Sequence, residues 1–426
     1  MISRSTGAAI GVDRPRHVGE LAPALGQIVL VFQGGGALGA YQAGVYQALH
    51  EAGIEPDWII GTSIGAINAS LIAGNTPRKR VPALEAFWDR MAQKTIWAGS
   101  AAWPQLSQAF SYWNTLTHGI SGFFEPNPQA FWGTHVLLGA DRAGYYSTAP
   151  LEKTLLELVD FPLVHSCKPR LTVGAAHVRT SRMRYFDSCD GEIGVRHIMA
   201  SGALPPAFPA VRIDGELYWD GGILSNTPIE VIFDDNPRRN SLIFTVHLWN
   251  PIGPEPDTML DVMTRQKDIQ YSSRIATDIA HQVEAHRLRH VIKELLRHIP
   301  ENVRDSEAVR DLAGCACPTL MHVVRLLAPR IENEDSTKDV DFSASGIRQR
   351  WEAGYDNTRR AIEQKPWQGV RDQLDGVILH ELRDDTSVED ASCRLVGPAK
   401  PSVDLGPSQP GPNVGRPLSR VGDARV

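Results

Sequence analysis

The sequence has few cysteines, no long hydrophobic run and no excess of positive charge. Its 426 residues include five cysteines. Because these are odd in number and scattered, they argue against a disulfide framework and favour a reducing compartment. No apolar stretch approaches the roughly 20 residues that a membrane-spanning helix needs. The net charge of -6 offers no basic surface to nucleic acid, so no nucleic-acid partner is expected.

Neither a targeting segment nor a metal site is predicted. Residues 1–25 lack the continuous apolar core of a secretory signal and are interpreted as a flexible tail of a cytoplasmic protein. Cys315 and Cys317, with His322 nearby, lack the second ligand pair of a zinc site. We therefore predict no metal and no cofactor. Peripheral contact with a membrane stays open, because a local patch can act against the average charge.

The order of apolar segments predicts an α/β fold. From Gly26 to about Ile229, short apolar strands alternate with helical stretches, which is typical of a mostly parallel sheet covered on both faces. Residues 26–230 are thus predicted to form the main domain. Two more apolar strands, SLIFTVHLW and TLMHVVRLL, predict that residues 231–382 are an extension that completes this domain or packs on it. Residues 383–426 lack periodicity and are predicted to be disordered.

A long helical stretch runs from Thr258 to Ile299. Its apolar residues recur at helical spacing at Ile275, Ile279, Val283, Leu288, Ile292 and Leu295. Its basic residues are predicted to lie on the opposite face and are Arg274, His281, His286, Arg287, Arg289, His290 and Arg297. We interpret the segment as a helix packed on the domain with a solvated basic face. The alternative is a helix that binds a membrane surface or a partner.

An aromatic-rich insertion is predicted at residues 95–147. Its aromatic residues are Trp97, Trp103, Phe110, Tyr112, Trp113, Phe123, Phe124, Phe131, Trp132, Tyr145 and Tyr146. Such a segment can line an apolar pocket or form a cap over one. The alternative interpretation is an insertion that packs only for stability.

The stretch VFQGGGALGAYQAG places glycines between an apolar strand and a helix, where free backbone N–H groups form an anion site. Gly34, Gly36 and Gly39 satisfy the dinucleotide pattern G-x-G-x-x-G. That interpretation also requires an acid at the end of the second strand, whereas Asp57 stands at its start. A nicotinamide cofactor is therefore disfavoured. The anion that the glycine turn binds is better explained as an oxyanion formed during ester cleavage.

The second strand ends in Gly61-Thr62-Ser63-Ile64-Gly65, the G-x-S-x-G pattern of a nucleophile elbow. Its two glycines permit the sharp turn that exposes a serine hydroxyl over the sheet edge, so Ser63 is the candidate nucleophile. The candidate oxyanion hole is the glycine motif, with Gly35 and Gly36 as the main donors and Ile64 as a further one. Its members are Gly34, Gly35, Gly36 and Gly39.

The serine needs a base, and two arrangements are open from the residues alone. In the order typical of α/β-hydrolases, Ser63 and Asp220 would act with His247 or His322, but both histidines lie within apolar strand segments. In the second arrangement Asp220 acts alone. A carboxylate becomes a competent base when apolar surroundings raise its pKa and it lies within hydrogen-bond reach of the serine. Asp220 is followed by Gly221 and Gly222.

Together these motifs resemble the patatin-like phospholipase family. GGGALG is similar to its oxyanion motif, GTSIG to its elbow, DGG to its aspartate motif, and ASGALPPAFPAV to the block before that aspartate. The resemblance covers about residues 26–230. It implies an α/β/α sandwich with a Ser63–Asp220 dyad that uses neither histidine nor metal. Gln33 is a departure, because many members carry an acid before the glycines.

The resemblance implies a function as well as a fold. We expect a serine acyl hydrolase that cleaves carboxylic esters of lipids, of the phospholipase A or lysophospholipase type. Its partner is then a lipid ester substrate. The alternative function is a catalytically silent lipid-binding or regulatory protein that retains the fold.

Overall fold

The computed structural model describes residues 25–93, 115, 117–304, 306–331, 334, 336–369 and 375–382, without the side chains of residues 273–278. The predicted N-terminal tail up to residue 24 and the tail 383–426 lie outside the described residues. So does the first part of the aromatic segment, residues 94–114.

Eleven strands are found in the described residues. They are β1 (Gln27–Phe32), β2 (Trp58–Thr62), β3 (Glu125–Pro126), β4 (Tyr146–Ser147), β5 (Arg170–His177), β6 (Arg182–Asp187), β7 (Val211–Ile213), β8 (Glu216–Asp220), β9 (Ser241–His247), β10 (Met321–Leu327) and β11 (Val377–Glu381). The main sheet has the order β11-β10-β9-β1-β2-β5-β8-β7, and β6 pairs with β5. Strands β3 and β4 form a separate ribbon.

The α-helices lie between these strands. They are α1 (Ala40–Glu51), α2 (Ile64–Ala73), α3 (Pro77–Met91), α4 (Ala149–Leu158), α5 (Phe161–Val164), α6 (Val195–Ser201), α7 (Glu230–Phe233), α8 (Met259–Arg297), α9 (Glu301–Arg304), α10 (Glu307–Ala313) and α11 (Ala344–Gln364). Short 3₁₀ turns include Gly36–Gly39 after β1 and Gly221–Ile223 after β8. The three motifs predicted to form the site therefore follow β1, β2 and β8.

The strands beyond residue 230 continue the same sheet. Strand β9 pairs with β1 in parallel, β10 with β9, and β11 with β10. Only the other end of the sheet, where β6, β7 and β8 lie, contains antiparallel pairs. The extension thus completes the sheet that carries the glycine loop.

Helices cover both faces of the sheet. Leu30 and Phe32 pack in one apolar core with residues of α1, α2, α3 and α11. Val29 and Val31 pack in a second core with residues of α7 and with Ile279 of α8. Because successive residues of a strand point to opposite faces, these cores lie on opposite sides of the sheet. This arrangement confirms the predicted α/β fold, a three-layer α/β/α sandwich with a mostly parallel sheet.

Strands β2 and β8 meet end to end along one side of β5. Thr62 of β2 pairs with Gly174 in parallel, and Asp220 of β8 pairs with the next residue, Ala175, in antiparallel fashion. The other side of β5 is occupied by β6 over Thr172–His177, so β2 and β8 share the remaining side. Their carboxyl ends therefore face each other. The sheet register alone brings the residue after Thr62 close to Asp220.

The expectation that the cysteines form no disulfide framework needs a correction. Cys167, just before β5, is bonded to Cys189, just after β6, with a Cα–Cα distance of 5.4 Å. The antiparallel pairing of β5 with β6 brings these two positions together, and sequence spacing did not reveal it. Cys315 and Cys317 are free thiols.

The predicted faces of the long helix are partly wrong. His286 is fully buried and its Nε2 lies 3.0 Å from the Thr319 carbonyl oxygen, whereas Leu288 and Leu295 are exposed. The buried face follows Ile279, Val283 and His286 at helical spacing, and a histidine can lie on it because Thr319 supplies an acceptor. The predicted positions of Arg274 and Ile275 concern side chains outside those described. No helix within the described ranges has the length and apolarity to span a membrane.

The described part of the aromatic segment divides into buried and exposed halves. Phe123 and Phe124 are buried and pack on Phe208, with ring centroids 6.0 and 5.4 Å apart. Phe131 and Trp132 are 65% and 71% exposed. The first half therefore stabilises the fold beside the segment that leads into β7, while the second half faces solvent.

Candidate active site

Ser63 lies at a strained turn between β2 and α2. Its backbone has φ 56° and ψ -126°, a region that residues other than glycine rarely adopt. A side chain at Gly61 would overlap the Gly65 carbonyl group, and one at Gly65 would overlap the Phe32 carbonyl group. The two glycines of the elbow are thus required by close backbone contacts. The turn exposes the Ser63 side chain at the carboxyl edge of the sheet.

Asp220 lies directly beside Ser63. Its carboxylate accepts the Gly222 N–H at 2.7 Å. The residue is only 2% exposed, and this burial raises the pKa of Asp220 to about 6, although the neighbouring Ser63 side chain and the Gly222 N–H oppose the shift. Gly221 packs against the Gly174 backbone, where a side chain would not fit. A serine hydroxyl and a carboxylate of raised basicity are therefore in contact.

The raised pKa of Asp220 predicts a pH profile. We expect kcat/KM for a soluble ester to rise with pH through a midpoint of about 6, because only the ionised carboxylate accepts the Ser63 proton. Below the midpoint the value should fall about tenfold for each pH unit. A pH series with a non-titrating ester measures it. A midpoint at the ordinary value of 3.8 would show that burial does not tune this group.

The four glycines of the predicted oxyanion hole have different surroundings. The Gly34 N–H donates to Asn226, at 3.2 Å to its carbonyl oxygen and 3.1 Å to its Oδ1, so it has no free N–H to offer. Gly39 is buried against the Ile64 side chain. Gly35 and Gly36 are half-buried, and no acceptor is found for their N–H groups among the described residues. The available donors are thus Gly35 and Gly36.

The loop is held from its far side as well. Ala37 donates its N–H to the Asp339 carbonyl oxygen at 2.8 Å. Gly36 has φ 55°, and a side chain there would overlap the same carbonyl oxygen. Ile64, the first residue of α2, also has an N–H for which the described residues offer no acceptor. The Ser63 side chain therefore lies between a glycine loop and a helix N-terminus that both present N–H groups.

Ser201 is a residue of the site whose role the sequence did not indicate. It is fully buried at the end of α6, where its Oγ accepts the Ser63 N–H at 2.9 Å and donates to the Gly174 carbonyl oxygen at 2.6 Å. One hydroxyl therefore joins the strained elbow to β5, the strand that also pairs with Asp220. Its only sequence signal is its place in the block ASGALPPAFPAV.

Ser201→Ala is expected to lower kcat about ten- to hundredfold with little change in KM. The variant leaves the Ser63 N–H without its acceptor. The lost hydrogen bond destabilises the conformation of the elbow by about 1–3 kcal/mol. Ser70→Ala is the matched control, because Ser70 is also fully buried but its hydroxyl bonds only to Ile67 within α2. Equal kcat values in the two variants would show that Ser201 does not support the geometry of the site.

The histidine triad and the dinucleotide site are not supported by the geometry. His247 and His322 lie in β9 and β10, two and three strands away from β2. His247 is buried and its pKa is lowered to about 3 by burial and by Arg325, while His322 pairs with His380 at 2.9 Å. The Asp57 carboxylate accepts the Ile28 N–H at 2.8 Å, at the opposite edge of the sheet from the glycine loop.

Comparison with known proteins identifies relatives of modest similarity. The lysophospholipase nte1 of Aspergillus terreus is 27% identical over 262 residues, which are 55% of this chain and 14% of the relative. Lysophospholipase NTE1 of Coccidioides immitis matches to the same extent. The chain thus spans only 14% of the length of these relatives. Among solved structures, VipD from Legionella pneumophila is 18% identical with a TM-score of 0.34, over 79% of this chain and 67% of that chain.

Two family models match the chain in sequence. The patatin-like phospholipase model matches residues 30–233, from the glycine loop through the elbow to the aspartate motif. A second model, described as patatin phospholipase, matches residues 269–374. Both parts of the completed sheet are thus matched by models of the same kind. The chain belongs to the patatin-like phospholipase family.

Proposed function

We propose that this protein is a serine acyl hydrolase that cleaves carboxylic esters of lipids, of the phospholipase A or lysophospholipase type. The observation that carries the proposal is that the Ser63 side chain lies beside the buried Asp220 carboxylate and close to the N–H groups of Gly35 and Gly36, for which the described residues offer no acceptor. The family and the lysophospholipase relatives support a lipid ester as the substrate.

Acylation begins when Ser63 Oγ attacks the carbonyl carbon of the ester. Its proton passes to Asp220, and the carbonyl electron pair moves onto the oxygen, which becomes an oxyanion. When this intermediate collapses, the bond to the alcohol breaks and the departing alkoxide takes the proton from Asp220. The fatty acyl group remains on Ser63 as an ester.

Deacylation repeats these steps with water. Asp220 accepts a proton from a water molecule while the water oxygen attacks the carbonyl carbon of the acyl-enzyme. When the resulting tetrahedral intermediate collapses, Asp220 returns the proton to Ser63 Oγ and the fatty acid is released. In both halves the oxyanion is stabilised by the N–H groups of Gly35, Gly36 and Ile64. Each aimed donor is worth roughly 2.7–4 kcal/mol in a transition state of this kind.

We propose a cytoplasmic protein that meets lipid at a membrane surface, and exposed apolar side chains support the membrane contact. The first turn of α8 exposes Met259, Leu260 and Met263, and Met259 is 77% exposed. This turn is tied to the carboxyl end of β9, because Arg265 donates to the Asn250 carbonyl oxygen at 3.2 Å. The described part of the aromatic segment is joined to the residues before β7, where Tyr145 donates to the Pro206 carbonyl oxygen at 3.1 Å, and it is our candidate for receiving the acyl chain.

The test is release of fatty acid by the purified protein from phosphatidylcholine vesicles that contain lysophosphatidylcholine. We expect release from the wild type and none from Ser63→Ala at the same protein concentration. Equal release from both proteins would show that Ser63 contributes nothing to turnover and would refute it as the nucleophile. A folded wild type that binds the vesicles without releasing fatty acid would instead favour the silent lipid-binding function.

A further inference from the structure

Residues from the second half of the chain form hydrogen bonds with the glycine loop. Trp249, two residues after β9, donates its Nε1–H to the Gly34 carbonyl oxygen at 2.8 Å. The Gly34 N–H is held by Asn226, so both ends of this short residue are fixed. Trp249 itself is 2% exposed. The same carbonyl oxygen also accepts Asn226 Nδ2 at 3.2 Å, so the buried indole and the Asn226 side chain together determine where the Gly34 carbonyl points.

The direction of that carbonyl determines the direction of a catalytic donor. In a trans peptide the C=O of one residue and the N–H of the next lie in one plane and point in opposite directions. The Gly34 C=O and the Gly35 N–H belong to the same peptide group. Because Trp249 binds the carbonyl oxygen, the Gly35 N–H must point away from the indole. It is left free of any acceptor among the described residues.

Gln33 fixes Trp249 in turn. Gln33 is fully buried, and its Oε1 accepts the N–H groups of Leu248 at 2.5 Å and Trp249 at 3.2 Å. Its Nε2 donates to the Tyr271 carbonyl oxygen in α8 at 3.2 Å. A carboxylate could accept the two N–H groups but could not donate to Tyr271. The amide at this position, which departs from the family pattern, therefore matches contacts made by the second half of the chain.

Packing and ion pairs hold the indole on its other sides. Trp249 lies against the Tyr271 ring with centroids 4.8 Å apart, and Lys338 Nζ lies 5.2 Å from the indole centroid. Lys338 is paired with Asp268 of α8 at 2.7 Å, and the side chains are 7% and 1% exposed. A buried charge without its partner is costly, so this pair resists displacement. The indole is thus confined by α8 and by the segment that carries Lys338.

We propose that Trp249 is a positioning residue that aims the Gly35 N–H at the oxyanion, with Gln33 holding Trp249 in place. The inference rests on the proposed function and extends it. If Trp249 has this role, the second half of the chain, including α8, takes part in catalysis because it sets the direction of an oxyanion donor. Trp249 acts through the Gly34 peptide and touches no reacting atom.

Trp249→Phe tests the proposal because it removes the Nε1–H but keeps an aromatic ring against Tyr271. We expect kcat to fall on the order of tenfold, less than the loss caused by deleting a donor outright, because Asn226 still donates to the Gly34 carbonyl oxygen. KM should stay unchanged, since the oxyanion forms only on the way to the transition state. The rate at which a fluorophosphonate labels Ser63 should fall by a similar factor. The pH midpoint set by Asp220 should not move.

Trp367→Phe is the matched control. Trp367 is also buried, at 3% exposure, and packs on Phe244, but its Nε1 has no hydrogen-bond partner in the described part of the chain. We expect it to lose thermal stability to a similar extent and to keep the wild-type kcat. An active wild type with equal kcat in both variants would overturn this inference alone. A wild type that neither turns over nor labels would overturn the proposed function and this inference with it.

Discussion

Asp220→Asn is expected to lower kcat by about 10²–10⁴-fold, the range typical of a lost general base. Asparagine has nearly the same shape, and its Oδ1 can still accept the Gly222 N–H that Asp220 accepts at 2.7 Å. It cannot take a proton from the Ser63 side chain. Because binding of the ester does not use this proton transfer, KM should change little. Steady-state kinetics with a soluble ester at about pH 8, well above the pKa of Asp220, measure the effect.

The stability of Asp220→Asn separates a lost base from a lost fold. Burial raises the folded-state pKa of Asp220 to about 6 from the usual 3.8, so the ionised form is disfavoured in the folded protein. The stability of the wild type therefore declines as the pH rises from the unfolded-state pKa towards about 6. The asparagine variant avoids this cost, so its Tm at about pH 8 should equal or exceed that of the wild type. Retained activity would assign the base to another group.

Ser63→Ala is expected to reduce turnover by on the order of 10⁶-fold, because the variant lacks the hydroxyl on which the acyl-enzyme forms. Alanine adopts φ 56° with about the same strain as serine, so the fold should survive. Fatty-acid release and the burst of alcohol from an activated ester both measure the loss. Turnover above background in a protein that has been freed of contaminants would place the nucleophile elsewhere.

A glycine variant checks that the elbow stores strain. Ser63→Gly lacks the hydroxyl as Ser63→Ala does, but glycine adopts a positive φ without steric cost. We therefore expect it to be inactive and more stable than Ser63→Ala by roughly 1 kcal/mol. Chemical denaturation of the two variants gives the difference. A less stable glycine variant would argue that the turn is not strained in solution.

The sequence predicted those parts of the site that depend on local geometry. The glycines of the elbow leave a signal because each is required by a close contact within a few dozen residues, as Gly65 is by the Phe32 carbonyl group. The alternation of apolar strands and helices predicted the sandwich, because a sheet buried on both faces needs strands that are apolar throughout. The contact of Ser63 with Asp220 then follows from the register of β2 and β8 on β5.

The sequence could not predict contacts that depend on distant segments. Ser201 lies 138 residues from Ser63, and Trp249 lies 215 residues from Gly34. No local pattern distinguishes either side chain from an ordinary buried residue. The same reason explains why the sequence did not show that the Gly34 N–H is occupied, since the Asn226 side chain that accepts it comes from the turn after the aspartate motif. Tertiary packing also moved His286 into the core, where Thr319 provides its acceptor.

The most direct measurement is the intact mass of the protein after exposure to a fluorophosphonate ester, made on the wild type, Ser63→Ala and Asp220→Asn. If Ser63 is activated by Asp220, the wild type gains a single adduct that peptide mapping places on Ser63. Ser63→Ala then gains none, and Asp220→Asn reacts far more slowly. A folded wild type that gains no adduct, or an adduct that persists in Ser63→Ala, would contradict a Ser63–Asp220 dyad.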